Sequence, residues 1–251
     1  MLLALDTSAV ASAAVLADGR VLAARTSGDA RRHAELLQPM VEQVLAEAGA
    51  SRRDLAGVAV GVGPGPYTGL RVGLAAAQVL GLALGLPVHG VRSPDALARA
   101  CADALVAAGR ALPARFGVAT DARRREVHWA VYETTGGDGQ QDPGRDATAL
   151  RLVDGPGVGA AADVAGRAPA WAGRGVHLYG EHLTALPGVE ELLDPAAAAL
   201  GLVAADALAG RGHLGLVPVE PLYLRRPDAV ATADRPAPSP GRPPTAAGAA
   251  R

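Results

Sequence analysis

ALDTSAVASAAVL, at residues 4–16, and ATDARRREVHWAVY, at residues 119–132, share one pattern. Each stretch predicts a buried strand, an aspartate, a short turn and a second, alternating strand. The two halves of the chain are therefore interpreted as diverged copies of one α/β unit that begins with a β-hairpin. A chance similarity between two unrelated hairpins is the alternative.

Composition excludes several classes of function. The chain has 251 residues, 49% of them hydrophobic and 20% charged, with a formal net charge of −1. This is typical of a globular protein, and no overall basic field attracts nucleic acid or anionic membranes. All 24 basic residues are Arg, which excludes a P-loop lysine and a Schiff-base lysine. The single cysteine, Cys101, excludes an intrachain disulfide and a multi-cysteine zinc site.

Hydrophobic patterning predicts the element order. In the first half we expect strands at 2–5, 10–17, 20–26, 57–62 and 87–91, and helices at 34–48, 70–84 and 95–108. Ser93 and Pro94 suit the N-cap and first turn of the third helix. The second half predicts strands at 115–120 and 127–132, weaker strands at 150–153, 176–179 and 217–219, and a helix at 195–209. The polar stretch 134–148 is interpreted as an insert.

Neither end of the chain predicts a targeting or spanning segment. The apolar start, MLLAL, is too short for a signal peptide, and the longest apolar run, 72–88, falls short of the ~20 residues of a membrane span. We therefore expect a cytoplasmic protein without membrane association. Residues 227–251 are mostly Pro, Ala, Gly and Arg, and this composition predicts a disordered tail.

GVGPGPYTGLRVGLAAAQ, at residues 61–78, resembles a phosphate-binding loop that leads from a strand into a helix. Its spacing matches neither GxGxxG nor a Walker motif, and close packing explains its glycines equally well. The aspartates of the two hairpins could lie near the same phosphate, although an Asx turn is the interpretation we favour. The candidate phosphate-proximal residues are Asp6, Thr7, Ser8, Gly63, Gly65, Thr68, Arg71 and Asp121.

The helix that follows this loop has an unusual row of small residues. Gly69, Gly73, Ala77, Gly81 and Gly85 recur every four positions, which makes a groove that another helix could enter. The rest of the helix is apolar and must be covered, either by the chain itself or by a partner. The predicted partner interface comprises Leu36, Met40, Val44, Leu70, Gly73, Leu74, Ala77, Leu80, Gly81 and Leu84.

No catalytic or metal site can be assigned from the sequence. A metal pair on the first helix needs a second histidine four residues after His33, and that position is Leu37. His177 and His182 have no third ligand in view, and no serine lies in a nucleophile elbow. The triplet at residues 123–125, three arginines, fits either a solvated turn or a contact with phosphate or RNA.

Five stretches together resemble the bacterial TsaB (YeaZ) family. They are LLALDTS, RRHAELLQPMVEQVLAEAG, GVGPGPYTGLRVGLAAAQVLGLALGLPVHGV, DARRREVHWAVY and VEPLYLRR, and they extend over residues 1–226. The GPG-x-x-TGLR-x-G stretch is the most specific. This chain has Pro66 and Tyr67 where the family usually has Ser and Phe.

The resemblance implies an α/β fold of the actin-like/Hsp70-like (ASKHA) type with two duplicated subdomains, each a mixed sheet opened by a β-hairpin and flanked by helices. We expect them at 1–110 and 111–226. It also implies a non-catalytic subunit in the synthesis of threonylcarbamoyladenosine in tRNAs that read codons beginning with A.

The partners implied by the resemblance are a catalytic TsaD-like subunit bound through the first two helices, a TsaE-like ATPase, and a second copy when the chain is alone. tRNA would be reached indirectly through the complex. No cofactor is assigned to the chain itself, and ATP or ADP would lie at the interface of the complex. The alternative is an active ATP-binding or metallopeptidase-like enzyme of the same superfamily.

Overall fold

The computed structural model describes residues 1–28, 32–135 and 150–225. Their elements, in chain order, are β1 (Leu2–Asp6), β2 (Ser12–Ala17), β3 (Arg20–Thr26), α1 (His33–Glu47), β4 (Gly57–Gly61), α2 (Tyr67–Leu84), β5 (Val88–Val91), α3 (Ser93–Ala107), β6 (Arg115–Asp121), β7 (Glu126–Thr134), β8 (Leu150–Ala160), α4 (Ala161–Val164), β9 (Trp171–Ala172), α5 (Arg174–Leu178) and α6 (Ala197–Leu208). Two 3₁₀ turns lie at Arg52–Asp54 and Ala165–Arg167.

The first sheet has the strand order β3-β2-β1-β4-β5. β1 pairs antiparallel with β2 and parallel with β4, which in turn pairs parallel with β5. Asp18 and Gly19 form the tight turn between β2 and β3, both with positive φ, as a two-residue hairpin loop requires. The mixed sheet opened by a hairpin is as expected.

The second sheet repeats this beginning in the order β8-β7-β6-β9. β6 pairs antiparallel with β7 and parallel with the short β9. β6 therefore holds the place that β1 holds in the first sheet, between a hairpin partner and a parallel strand. This repetition confirms the α/β fold of two related subdomains.

The helices join the two sheets into one packed structure. α1 and α2 cover one face of the first sheet, while α3 and α6 lie on the core that contains side chains of both sheets. α6 packs across β1, β2 and β3 although it follows the second sheet in sequence. The two sheets lie on either side of the subdomain boundary that was expected near residue 110. The helices do not follow this boundary, because α6 comes after it in sequence and still covers the first sheet.

Three local predictions are wrong. Residues 176–179 lie in α5 and its C-terminal turn instead of a strand, and residues 217–219 form one isolated bridge, from Val217 to Gly90. Ser93 is the first residue of α3 instead of its N-cap, which is Arg92. Its hydroxyl is engaged elsewhere in the core. The predicted tail, 227–251, and most of the predicted insert lie outside the described residues.

One described helix, α2, has the length and apolar composition that a membrane span would need. A helix that lies on the core of a globular protein meets the same criterion. The inner face of α2 packs on its own sheet, and its buried residues include Leu70, Leu74 and Ala77.

Candidate functional site

Asp6 ends β1 and is fully buried. Its Oδ1 accepts hydrogen bonds from the Ser8 backbone N–H and the Ser8 hydroxyl, both at 2.7 Å, and its Oδ2 accepts one from the Ser93 hydroxyl at 2.6 Å. The first two bonds form the Asx turn that the sequence allowed. Burial raises the pKa of Asp6, although its three hydrogen bonds oppose the shift.

The glycine-rich loop packs directly on this turn. A Cβ on Gly65 would lie 2.5 Å from the Ser8 carbonyl oxygen, and one on Gly61 would overlap the Asp6 carboxylate. Gly63 has φ +94 and its N–H donates to the Ser93 hydroxyl at 3.2 Å. The glycines therefore serve close packing between the loop and the end of β1.

Thr7 ties the same turn to α2. Its hydroxyl donates to the Gly69 carbonyl oxygen at 2.8 Å and accepts from the Gly73 N–H at 3.1 Å. Asp6, Thr7 and Ser8 are therefore all buried and engaged with the chain's own groups, and together with Gly63 and Gly65 they form one compact cluster.

The remaining candidate phosphate residues do not join that cluster. Thr68 and Arg71 are exposed on the outer side of α2. Asp121 belongs to the second sheet, where its Oδ1 accepts from the Arg123 N–H at 2.7 Å and its carboxylate pairs with the Arg123 side chain at 3.0 Å. The structure therefore divides the eight candidates among three places, because the loop places Gly63 and Gly65 inward and α2 turns Thr68 and Arg71 outward.

The row of small residues on α2 faces inward from Gly69 to Gly81. A Cβ on Gly73 would collide with Thr7, and one on Gly81 would collide with Val88 and approach the Leu86 carbonyl oxygen. Gly85 ends the helix with φ +67, the left-handed conformation that favours glycine there. The groove thus receives the chain's own strands and turns, so in the described residues it is not open for the partner helix that the sequence suggested.

Most of the predicted partner interface is consequently internal. Seven of its ten residues are buried in the described chain: Met40, Val44, Leu70, Gly73, Leu74, Ala77 and Gly81. The other three, Leu36, Leu80 and Leu84, are half-buried at the edge of the same core. The physical reason is that α1 and α2 each turn their most regular apolar row toward the sheet.

The exposed side of α2 carries apolar residues that the sequence-based interface left out. We name it the α2 face, and it comprises Ala75, Val79, Leu82 and Ala83, which are all exposed. Val79 is 64% exposed and Leu82 is 87% exposed. A helix that is apolar all round shows no periodicity from which the inner side can be read, but the positions opposite the glycine row were a usable signal.

A separate cleft of about 380 Å³ lies near the start of β1, whereas Asp6 lies at its end. Its lining includes Met1, Asp18, His89 and Leu208. None of the candidate residues belongs to it. Among the described residues, no group of three or more His, Cys, Asp or Glu side chains could hold a metal ion.

Solved structures resemble this fold over most of its length. YeaZ from Pseudomonas aeruginosa is 33% identical with a TM-score of 0.69, and the match covers 89% of this chain and 99% of that chain. A second structure from Pseudomonas aeruginosa, of an uncharacterized protein with similarity to peptidase YeaZ, is 32% identical with a TM-score of 0.67. The class is thus that of two-lobed, actin-like α/β proteins.

Sequence comparisons agree. A family model described as TsaD, tRNA N6-adenosine threonylcarbamoyltransferase, matches residues 22–165. An uncharacterized protein of Mycobacterium tuberculosis is 44% identical over 90% of this chain and 92% of its own length. The tRNA threonylcarbamoyladenosine biosynthesis protein TsaB of Escherichia coli is 36% identical over 53% of this chain and 54% of its own length. This chain belongs to the TsaB (YeaZ) family.

Proposed function

We propose that this protein is a non-catalytic scaffold subunit required for threonylcarbamoylation of the adenosine next to the anticodon in tRNAs that read ANN codons. It acts by binding and stabilising a TsaD-like catalytic subunit through the α2 face. Membership in the TsaB (YeaZ) family supports a role in tRNA threonylcarbamoylation. The observation that carries the scaffold role is the exposure of Val79 and Leu82 on a helix with one charged side chain.

The energetics of the α2 face favour a protein partner. Full burial of one leucine contributes about 1.5–3 kcal/mol relative to leaving it exposed. Exposed apolar side chains that form one continuous surface are typical of protein–protein contacts. By contrast, the Asp6 turn has its carboxylate and hydroxyls committed to internal bonds, which favours a structural role there over catalysis.

The wider assembly follows from the same proposal. A TsaE-like ATPase acts on the complex, tRNA is held indirectly through it, and the isolated chain forms a homodimer through its uncovered α2 face. No cofactor is assigned to the chain alone, and an ATP or ADP site would lie at the interface of the complex. We propose a cytoplasmic location without membrane association.

The test is the affinity of this chain for the TsaD-like protein of the same genome. Leu82→Lys and Val79→Lys should each weaken binding about 10-fold or more, as interface anchors do, because each places a charge in an apolar contact. Leu178→Lys is the matched control, since Leu178 is an exposed leucine on α5 in the second lobe. Circular dichroism confirms that each variant is folded.

Two results would contradict the scaffold role. One is unchanged affinity in both α2-face variants. The other is steady ATP hydrolysis or stoichiometric metal in the isolated chain, which would instead favour an ATP-binding or metallopeptidase-like enzyme.

A further inference from the structure

α2 has one charged side chain among its 18 residues, and that residue is Arg71. It is exposed, and it lies one helical turn before Ala75, at the N-terminal end of the α2 face. Any partner that covers the α2 face therefore also reaches Arg71. A guanidinium group that loses water without gaining a partner is costly, so Arg71 constrains what the partner can present.

The Arg71 side chain is held in place by two tyrosines. Its Cζ lies 4.0 Å from the centroid of the Tyr67 ring, and its Nε donates to the Tyr223 hydroxyl at 3.1 Å. The two rings stack with centroids 5.0 Å apart. Tyr67 is 48% exposed and Tyr223 is 36% exposed. Because the Arg71 side chain is already restrained, it loses less conformational entropy when a partner binds.

Arg71 has no acidic partner in the part of the chain that the structure describes. Its contacts there are those with Tyr67 and Tyr223. Other arginines differ: Arg99, Arg174 and Arg225 each pair with carboxylates of the chain itself. A guanidinium has five N–H donors and Nε uses one, so the terminal nitrogens of Arg71, which have no hydrogen-bond partner among the described residues, can donate to a bound group.

We propose that Arg71 recognises a carboxylate on the catalytic partner, so that the α2 face selects an apolar helix that carries an Asp or Glu side chain. This inference rests on the proposed scaffold function and specifies the chemistry of its partner. Planar, bidentate pairing with a carboxylate is the interaction for which a fixed guanidinium is best suited.

The position of Arg71 favours a carboxylate on the partner over a phosphate bound at the glycine-rich loop. Arg71 and Gly73 are two residues apart on α2 and so face nearly opposite sides of the helix. Gly73 contacts Thr7 on the buried side, so Arg71 points away from the Asp6 turn. Arg71 instead continues the row of Ala75 and Leu82 along the α2 face.

The experiment compares dissociation constants with the TsaD-like subunit of the same genome at low and high salt. Arg71→Gln should weaken binding by about 10- to 100-fold at low salt and flatten its salt dependence, since the charge pair is lost. Arg71→Lys should recover only part of the affinity because it lacks the planar fork. Tyr223→Phe, which removes the bond to Nε, should lie between Arg71→Gln and the unmodified protein.

Arg20→Gln is the matched control, because Arg20 is exposed on β3 at the β2–β3 turn. Equal affinity and equal salt dependence for the unmodified chain and Arg71→Gln would overturn the role of Arg71. The proposed scaffold function would then still stand, whereas it fails if the unmodified chain does not bind the subunit at all. Saturable ADP binding by the isolated chain that Arg71→Gln abolishes would reassign Arg71 to a phosphate and also overturn the proposal.

Discussion

At the scale of single residues, Gly73 shows why a glycine stands inside a helix. The residue is buried against Thr7, whose hydroxyl accepts its N–H, and a Cβ there would collide with that hydroxyl. A helical glycine costs about 1 kcal/mol relative to alanine. Close approach between α2 and the end of β1 offsets that cost, and no partner helix is needed to explain the residue.

His128 gives a pH dependence that can be measured. Burial lowers its pKa from 6.5 to about 4, and the charge of Asp121 only partly opposes this. The unfolded chain therefore binds a proton more readily between these values, so stability is full above pH 6.5 and falls as the pH decreases toward 4. Because the ring is only half-buried, we expect a loss of roughly 1–3 kcal/mol across this range.

His128→Gln should remove this contribution. Urea unfolding at pH 7 and pH 4.5 measures the free energy of unfolding of both proteins, and the difference between the two pH values should be smaller in the variant. An identical pH dependence in the two proteins would show that His128 titrates normally in the folded state.

At the scale of elements, residues 216–224 form a strap along the first lobe, and Arg225 after it pairs with Glu126 of the second sheet. The Val217 N–H donates to the Gly90 carbonyl oxygen at 2.9 Å, and the Leu222 N–H donates to the Val62 carbonyl oxygen at 2.8 Å. Val217, Val219 and Leu222 pack against the core beneath α1 and α2. The strap thus completes this core, although it has almost no regular secondary structure.

Removing the strap should destabilise the protein. A chain that ends at residue 215 loses the half-buried side chains of Val217, Val219, Leu222 and Leu224, and we expect about 2–4 kcal/mol lower free energy of unfolding, measured in urea. A chain that ends at residue 225 is the control, since it keeps every described strap contact. Equal stability of the two shortened chains would mean that the strap merely lies on the surface.

At the scale of the whole molecule, the two lobes share one core. Its buried residues come from the first sheet, α3, α6 and the second sheet. Within it the Tyr132 hydroxyl of β7 donates to Asp95 Oδ1 of α3 at 2.7 Å, and both side chains are fully buried. Burial raises the pKa of Asp95, while the bond from Tyr132 opposes that shift.

Such a shared core predicts one cooperative unfolding transition for both lobes. Tyr132→Phe should lower the free energy of unfolding by about 1–3 kcal/mol, because Asp95 loses a buried donor, and the transition should stay single. Calorimetry measures both quantities. Two separate transitions in the unmodified protein would show that the lobes unfold independently.

Much of the fold could be predicted because its signals are local. The Asp18-Gly19 turn, the alternating strands beside it and the helices α1, α2 and α3 follow from short-range patterns. Strands were wrongly predicted at residues 176–179 and 217–219 because short apolar runs suit a helix, an irregular segment or a strand equally well. Ser93 was wrongly predicted to be the N-cap of α3, because its hydroxyl instead donates to Asp6, 87 positions away in the chain.

The sequence by itself determined two hairpin-led halves, the glycine-rich loop after β4 and an apolar helix that needs cover. The tertiary structure decided which side of α2 is inside, since an apolar helix with a row of glycines can turn that row either toward its own sheet or toward a partner. It also decided that α6 returns to the first sheet and that Arg71 lies beside Tyr223, 152 positions away in the chain. These arrangements depend on contacts between distant residues, which local patterns of hydrophobicity do not encode.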